Sequence, residues 1–294
     1  MISILIPAYN ASKYICACLD SLDKQTYRDF EVVIVNDCST DNTSELIESY
    51  KNKVSFNIRL LENEKNLGVS RVRNKLLDAV KGEYFYFVDA DDSLEPNALE
   101  SLFDCAIKFN ADIVTADLFI DSDTGVELVN ILANSADEQR RNNIAGKWAV
   151  VWRSLYRTQY IKDALTSFPD GVDGGEDYYF VSMASSKTGA IHHTNQAFYH
   201  YRVSNQGSIM RSVNLQGLTD QYKATDMLHD ALDNASIYED EFCMRYLYLK
   251  KEAFKTALKT WNWHPEANKN SLMNQFRLKD KVVYLLMNLL SKLI

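Results

Sequence analysis

The sequence contains no apolar run of about 18 residues or more, so no membrane-spanning helix is expected. No basic segment precedes its first apolar stretch, residues 1–7, and that stretch is too short for a secretion signal. The five cysteines, Cys16, Cys18, Cys38, Cys105 and Cys243, include no Cys-x-x-Cys pair and are odd in number. That usage fits a reducing compartment rather than a disulfide framework. Together these absences predict a cytoplasmic protein, with a peripheral place at the inner face of the cell membrane open to it. A basic excess is missing too: a net charge of −8 and a pI near 5.2 exclude the cationic footprint of a nucleic-acid binder. There is no internal repeat and no low-complexity segment.

What is present describes an ordinary folded chain. Its 294 residues are 46% apolar and 24% charged, enough for a large core in one α/β domain or a domain with a smaller attachment. The charge is uneven. From Lys250 onward nine lysines and arginines face three acids, Glu252, Glu266 and Asp280, a balance of +6 that leaves −14 for residues 1–249. Such asymmetry suggests an anionic partner for the tail. Residues 282–293 add an apolar stripe that includes Val282, Leu286, Leu289 and Leu293, flanked by Arg277, Lys279, Lys281 and Lys292. This is the pattern of a helix that lies on an anionic membrane surface or packs on protein.

Hydrophobic patterning predicts strands at 2–6, 30–35, 56–61 and 84–88, separated by helices that begin near Ser12, Glu45 and Asn66. The alternation implies a right-handed, mostly parallel sheet with helices on both faces. Pro7 should end the first strand because it has no N–H for the ladder. Ligands of such sheets bind beyond the carboxyl ends of the strands, so the polar clusters at 7–10, 36–41 and 89–92 should share one rim. A helix follows Pro96 and a strand spans 112–116. Residues 118–147 are polar, with a turn at 121–125, and are expected to form an irregular excursion. Trp148, Trp152, Tyr156 and Tyr160 sit at mainly helical spacing, the pattern of core packing. Gly174 and Gly175 lead into Glu176 and Asp177 as a turn feeding a helix N-terminus, where carboxylates are favourable. A last strand is expected at 197–201, and helices from about residue 213 onward.

The fourth strand, Tyr84-Phe85-Tyr86-Phe87-Val88, runs directly into Asp89-Ala90-Asp91-Asp92. Carboxylates this close raise one another's pKa unless a cation neutralises them. A divalent metal that takes one or two protein carboxylates together with substrate phosphate fits the crowding. An acidic loop that caps the helix after Pro96 is the other reading.

Six segments in order resemble the family 2 glycosyltransferases, inverting enzymes of the GT-A fold: residues 3–10 (SILIPAYN), Gln25-Thr26-Tyr27, 31–41 (EVVIVNDCSTD), 66–74 (NLGVSRVRN), 89–92 (DADD) and 175–180 (GEDYYF). The likeness covers about the first 205 residues and leaves out the tail. It implies an α/β, Rossmann-like GT-A domain plus a C-terminal helical segment. Residues 1–110 would be the nucleotide-sugar-binding half, 111–205 the acceptor-binding and catalytic half, and 206–294 the helical region.

The resemblance also implies roles at the matching positions. Pro7, Ala8 and Tyr9 would lie against the nucleotide base and Asp37 would hydrogen-bond it. A carboxylate accepts the imide N–H of uracil, which points to a UDP-sugar, although thymidine nucleotides offer the same N–H. Arg73 would face the diphosphate or the sugar, where a charged fork suits phosphate. Asp89, with Ala90 beside it, would reach the ribose or the waters of the metal, and Asp91 would bind Mn2+ or Mg2+ directly. Asp177 matches the family's general base, with Glu176 as the second choice and a helix N-cap as the structural alternative for Asp177. His192, His193 and His200 could include a metal ligand, and His200, near Arg202, is the better candidate for contacting phosphate.

The implied activity is transfer of a sugar to a glycan, lipid-linked, in surface-polysaccharide synthesis. Three rivals are weighed against it. A nucleotidyltransferase would carry a glycine-rich basic loop after the first strand, where Pro7-Ala8-Tyr9-Asn10 stands. A phosphatase of the Asp-x-Asp type would need its carboxylates at the end of that same strand. A non-catalytic nucleotide-sugar or glycan-binding protein would keep Asp37 and lose the base, yet Asp177 is present.

Overall fold

Residues 84–87, Tyr-Phe-Tyr-Phe, are apolar on both faces of a strand, and such a strand is stable only inside a covered sheet. In the computed structural model, which describes residues 1–131, 133–203, 215–232 and 234–260, all four are buried at the centre of a nine-stranded sheet. The first four strands are β1 (Ile2–Ala8), β2 (Phe30–Asn36), β3 (Asn57–Glu62) and β4 (Tyr84–Phe87). They lie side by side in the order β3-β2-β1-β4, and every pairing among them is parallel. Helices α1 (Ile15–Asp23), α2 (Thr43–Lys51) and α3 (Val69–Asp78) are the crossovers, so the alternation expected over the first 90 residues is what forms.

Beyond β4 the sheet becomes mixed. It continues through β5 (Ser93–Leu94), β6 (Ile113–Ser122), β7 (Gly125–Val129), β8 (Ser154–Arg157) and β9 (Ile191–Arg202), in the spatial order β4-β8-β6-β9-β5 with β7 on β6. β8 runs antiparallel to both β4 and β6, whereas β6 and β9 are parallel. The remaining helices are α4 (Ala98–Lys108), α5 (Ala136–Ile144), α6 (Thr158–Asp163), α7 (Glu176–Ser186), α8 (Leu215–Ala231) and α9 (Glu239–Thr260).

Two expectations need correction. Residues 118–147 are not an irregular excursion: β6 runs on to Ser122, the chain returns as β7, and α5 follows. The pattern hid them because β7 is an edge strand whose first four residues are exposed. α5 is polar almost all round, and Ser135 caps it by accepting from Glu138 N at 3.1 Å. Trp148, Trp152, Tyr156 and Tyr160 do not line one helix either. Trp152 sits in a 3-10 turn (Val151–Arg153), Tyr156 in β8 and Tyr160 in α6. Trp152 and Tyr156 are nonetheless buried, as core packing requires.

Contacts divide the chain into two units, Met1–Glu252 and Ala253–Ile294. The second is described only as far as Thr260, the end of α9, so the basic amphipathic stretch 277–294 lies outside the described residues. Among the described residues no helix is long and apolar enough to cross a membrane.

Candidate active site

Because β1, β2 and β4 are parallel, Ala8, Asn36 and Phe87 all end on one rim. The loops that follow interlock there. Asp37 N donates to Ala8 O at 2.8 Å, Asn10 N to Ser39 Oγ at 2.9 Å, and Thr40 N to Asn10 Oδ1 at 2.8 Å. The Asp37 carboxylate is buried and organises a second loop: Oδ1 accepts from Asn63 Nδ2 at 2.8 Å and Leu67 N at 2.9 Å, and Oδ2 from Gly68 N at 3.1 Å. Ala8 is buried and Pro7 half-buried, while Tyr9 leaves 51% of its surface exposed.

The acidic turn after β4 gives each carboxylate a different setting. One hydroxyl fixes the turn: Tyr199 accepts from Asp89 N at 3.0 Å and donates to Asp92 Oδ2 at 2.8 Å. Arg202 N donates to Asp92 Oδ1 at 2.8 Å, and Arg202 Nε to Asp91 O at 3.1 Å. Asp92 is buried, and burial, followed by the charges of Asp89 and Asp91, pushes its carboxyl well above the ordinary range. With both oxygens engaged by protein, Asp92 is a structural member of the turn. The N-cap of α4, Asn97, makes no side-chain cap bond, and Leu99 N in its first turn donates to Gln25 Oε1 at 3.0 Å. Trp152 stacks on the Tyr199 ring with centroids 4.2 Å apart, holding the hydroxyl in place. Tyr199→Phe removes that hydroxyl and leaves a buried N–H and a buried carboxylate each short of a partner. We expect a loss of about 1–3 kcal/mol, read as a lower midpoint in thermal melting.

Arg73, on α3, is buried at the meeting point of three carboxylates. Its Nη1 donates to Glu176 Oε1 at 2.6 Å and to Asp177 Oδ1, and its Nη2 donates to Asp89 Oδ1 at 3.3 Å. The resemblance gives Arg73 a diphosphate- or sugar-facing role; its guanidinium here bridges three of the protein's own acids. Glu176 is buried and Asp89 and Asp177 half-buried, and three carboxylates this close need an internal counter-charge. Burial works against the charge of Arg73, but Asp177, Asp89 and Glu176 outweigh it and raise its pKa.

The surroundings divide the carboxylates by task. Burial, then Asp177, push Glu176 up to about 8 against the pull of Arg73. Burial also raises Asp177, but its other partners, Arg73 and the Val151 N–H at 3.3 Å, all favour the ionised form. Both carboxyls are thus shifted upward, and Asp177, whose partners Arg73 and Val151 N–H favour the ionised form, is the better suited of the two to accept a proton. It does not cap its own helix. The N-cap of α7 is Gly175, in the left-handed region at φ +87, and the Asp177 carboxylate is turned to Arg73 and Val151.

Asp89 and Asp91, two residues apart at the mouth of the sheet, are both half-buried. Burial comes first among the influences on Asp89, which is raised to about 6 with Asp91 adding to the rise. Such a pair of hard oxygen donors, close enough for Asp91 to help raise Asp89, fits a cation of the Mg2+ or Mn2+ kind that completes its shell with phosphate and water. The histidines are placed elsewhere. His192 stacks on Phe109, with ring centroids 3.7 Å apart, and His193 bonds Thr115 at 2.8 Å and Asp117 at 3.2 Å.

His200, the expected phosphate contact, is instead held between Asp121 and Glu95, each at 2.9 Å. Burial lowers its pKa, but the two carboxylates outweigh burial and the net shift is upward. With a folded value above the unfolded one, its stabilisation is complete below about pH 6.5 and fades as the pH rises through the folded value. The melting temperatures of the parent and His200→Gln should therefore converge on the alkaline side. A constant gap from pH 5.5 to 9 would refute this.

Reading the sequence brought Arg73, Asp89, Glu176 and Asp177 forward, and these four do meet. It missed the roles of Tyr199, Trp152 and the Val151 N–H. A faint signal for Tyr199 existed in its place on a predicted strand. Nothing local marks a backbone N–H as a carboxylate's partner.

Comparison with known proteins bears on the same region. The sequence profile of the family described as Glycosyl transferase family 2 matches residues 3–165. Poly(ribitol-phosphate) beta-N-acetylglucosaminyltransferase TarS of Staphylococcus aureus (strain Mu50 / ATCC 700699) is 29% identical over 239 residues, which are 81% of this chain and 41% of that protein. Glycosyltransferase GlyA of Streptococcus pneumoniae serotype 4 is 31% identical over 227 residues, 71% of this chain and 31% of the relative. The chain thus spans less than half the length of these two relatives. A crystal structure of residues 1–349 of S. aureus TarS in complex with UDP-GlcNAc superposes with a TM-score of 0.70 and 25% identity, over 95% of this chain and 77% of that one.

Proposed function

The chain belongs to glycosyl transferase family 2, and from that premise we propose that it is an inverting glycosyltransferase that moves one sugar from a UDP-sugar to a hydroxyl of a glycan acceptor. The observation that carries this reading is the meeting of Arg73, Asp89, Glu176 and Asp177 at the carboxyl rim of the parallel strands. Uridine is supported by the match of Asp37 to the family's base-contacting position and by the UDP-GlcNAc bound to S. aureus TarS. The name of that relative supports a polymeric acceptor. A lipid-linked glycan of a surface polysaccharide, met at the inner face of the membrane, is the acceptor we propose.

In this mechanism Asp177 takes the proton of the acceptor hydroxyl, which attacks the anomeric carbon on the face opposite the departing diphosphate. One displacement from the opposite face inverts the configuration. Arg73 keeps Asp177 aimed and offsets part of its charge. Asp91 and Asp89 would hold Mn2+ or Mg2+, which when bound neutralises charge on the leaving diphosphate. Arg202, whose Nε donates to the Asp91 carbonyl, is a further cation we assign to the diphosphate side.

The test is a panel of nucleotide sugars headed by UDP-GlcNAc, incubated with Mn2+ or Mg2+ and scored for nucleotide release with and without candidate acceptors. Absence of metal-dependent turnover and of binding for every donor rejects the reading. Asp91→Asn should weaken metal-dependent donor binding at least about tenfold. Unaltered binding by calorimetry would reject the metal assignment.

A further inference from the structure

α3 begins without a side-chain cap of its own, because its N-cap is Gly68 at φ +87. The carboxylate that serves this helix end comes from far along the chain. Asp173 Oδ1 accepts from Ser70 N at 3.1 Å, and the buried Ser70 hydroxyl donates to the Val172 carbonyl. Gly68 lies so close that a Cβ added there would stand 2.3 Å from Asp173 Oδ2. Two further ties run along the same helix. Asn74 and Phe168 exchange hydrogen bonds in both directions at 2.9 Å, and Arg71 Nε pairs with Asp170 at 2.5 Å. The segment 168–173 is therefore stitched to the first two turns of α3.

Past Asp173 the chain has only Gly174 and Gly175 before Glu176 and Asp177. A Cβ on Gly174 would meet Gly217 O at 3.0 Å, and one on Gly175 would meet Gln221 at 3.2 Å, so α8 closes the turn from the other side. Arg73, which grips Asp177, stands one turn beyond Ser70 on α3. Both the guanidinium and the turn that delivers its carboxylates are thus referred to one helix. Asp173 itself is exposed, so it is not there to neutralise a buried charge.

We propose that Asp173 is a positioning residue: by clipping the diglycine turn to the N-terminus of α3, it sets the placement of the Asp177 carboxylate for proton removal. The carboxylate is well suited to this end of a helix, where unpaired N–H groups and the helix dipole favour negative charge. The same backbone position also links the two halves of the site, since Gly68 N donates to Asp37 at 3.1 Å while its Cα faces Asp173. The inference rests on the glycosyltransferase reading for its kinetic consequence and on hydrogen bonds alone for its structural one.

The experiment compares the full chain with Asp173→Ala and Asp173→Asn. Asparagine caps helices nearly as well as aspartate, so it preserves the clip while removing the charge. Asp173→Ala should lower kcat about tenfold or more, because small misplacements of a reacting group are costly, while the Kd for UDP-GlcNAc stays within about twofold. Asp173→Asn should recover most of kcat. Hydrogen exchange of peptides covering 174–180 should speed up in Asp173→Ala and match the parent in Asp173→Asn, with exchange in β1 to β4 unchanged in both.

An Asp173→Ala protein with parental kcat, an Asp173→Asn protein as impaired as Asp173→Ala, or donor affinity falling in step with kcat would each overturn the proposal. If the parent neither binds nor turns over any nucleotide sugar, the glycosyltransferase reading fails. The exchange measurement then still decides whether Asp173 holds the turn, with unchanged exchange in Asp173→Ala counting against it.

Discussion

Asp177→Asn should reduce sugar transfer by about 10²–10⁴-fold, the range that a positioned general base supplies, while donor binding changes by no more than about threefold. Asparagine keeps the shape and one acceptor oxygen for Arg73, and gives up only the long 3.3 Å bond from Val151 N. What is lost is the capacity to take a proton. Glu176→Gln provides the contrast. Burial and Asp177 push Glu176 upward, which favours its neutral form, so glutamine is the closer mimic there and should cost far less in kcat. Steady-state kinetics with separate donor calorimetry decide the matter. Equal losses in the two variants would remove the distinction drawn between the carboxylates, and a fully active Asp177→Asn would move the base elsewhere.

The second large effect is on stability. Arg73→Met should destabilise the fold by about 3–5 kcal/mol, because it leaves Asp89, Glu176 and Asp177 clustered without their buried counter-charge. The sign of its pH dependence follows. Without the guanidinium the carboxyl pKa values rise further above their unfolded values, so the folded state binds more protons than the unfolded one. Stability then falls as the pH rises through that window. The melting-temperature gap between the parent and Arg73→Met should therefore narrow from pH 8 to pH 5.5. A gap that is constant, or that widens toward acid, would mean that the arginine is not acting as the counter-ion.

The sequence made the parallel half of the fold legible because strands 2–6, 30–35 and 84–88 are apolar on both faces and the turns between elements are polar. It made Asp89, Asp91, Glu176 and Asp177 legible because each stands at the end or start of a predicted element. It did not show the partners of Arg73, since nothing near residue 73 indicates that Glu176 and Asp177 lie within a hydrogen bond of it. β7 and α5 escaped for a different reason: an exposed edge strand and a helix with a polar circumference bury too little apolar surface to leave a periodic trace. Their stability comes instead from pairing with β6 and from the Ser135 cap. The clamp on Asp89 and Asp92 was invisible because Tyr199 stands more than 100 residues away from the turn it holds.

β4 lies between β1 and β8 in the sheet, but in the chain β8 begins only at Ser154. During synthesis at about 5–20 residues per second, the roughly 65 residues that separate them take several seconds to emerge. Throughout that interval Tyr84-Phe85-Tyr86-Phe87 presents one unpaired edge, apolar on both faces and without a charge to deter another strand. The nascent chain is most vulnerable to association at the strand that later carries Asp89 and Asp91, so the ribosome and its chaperones have this segment to shield until β8 arrives.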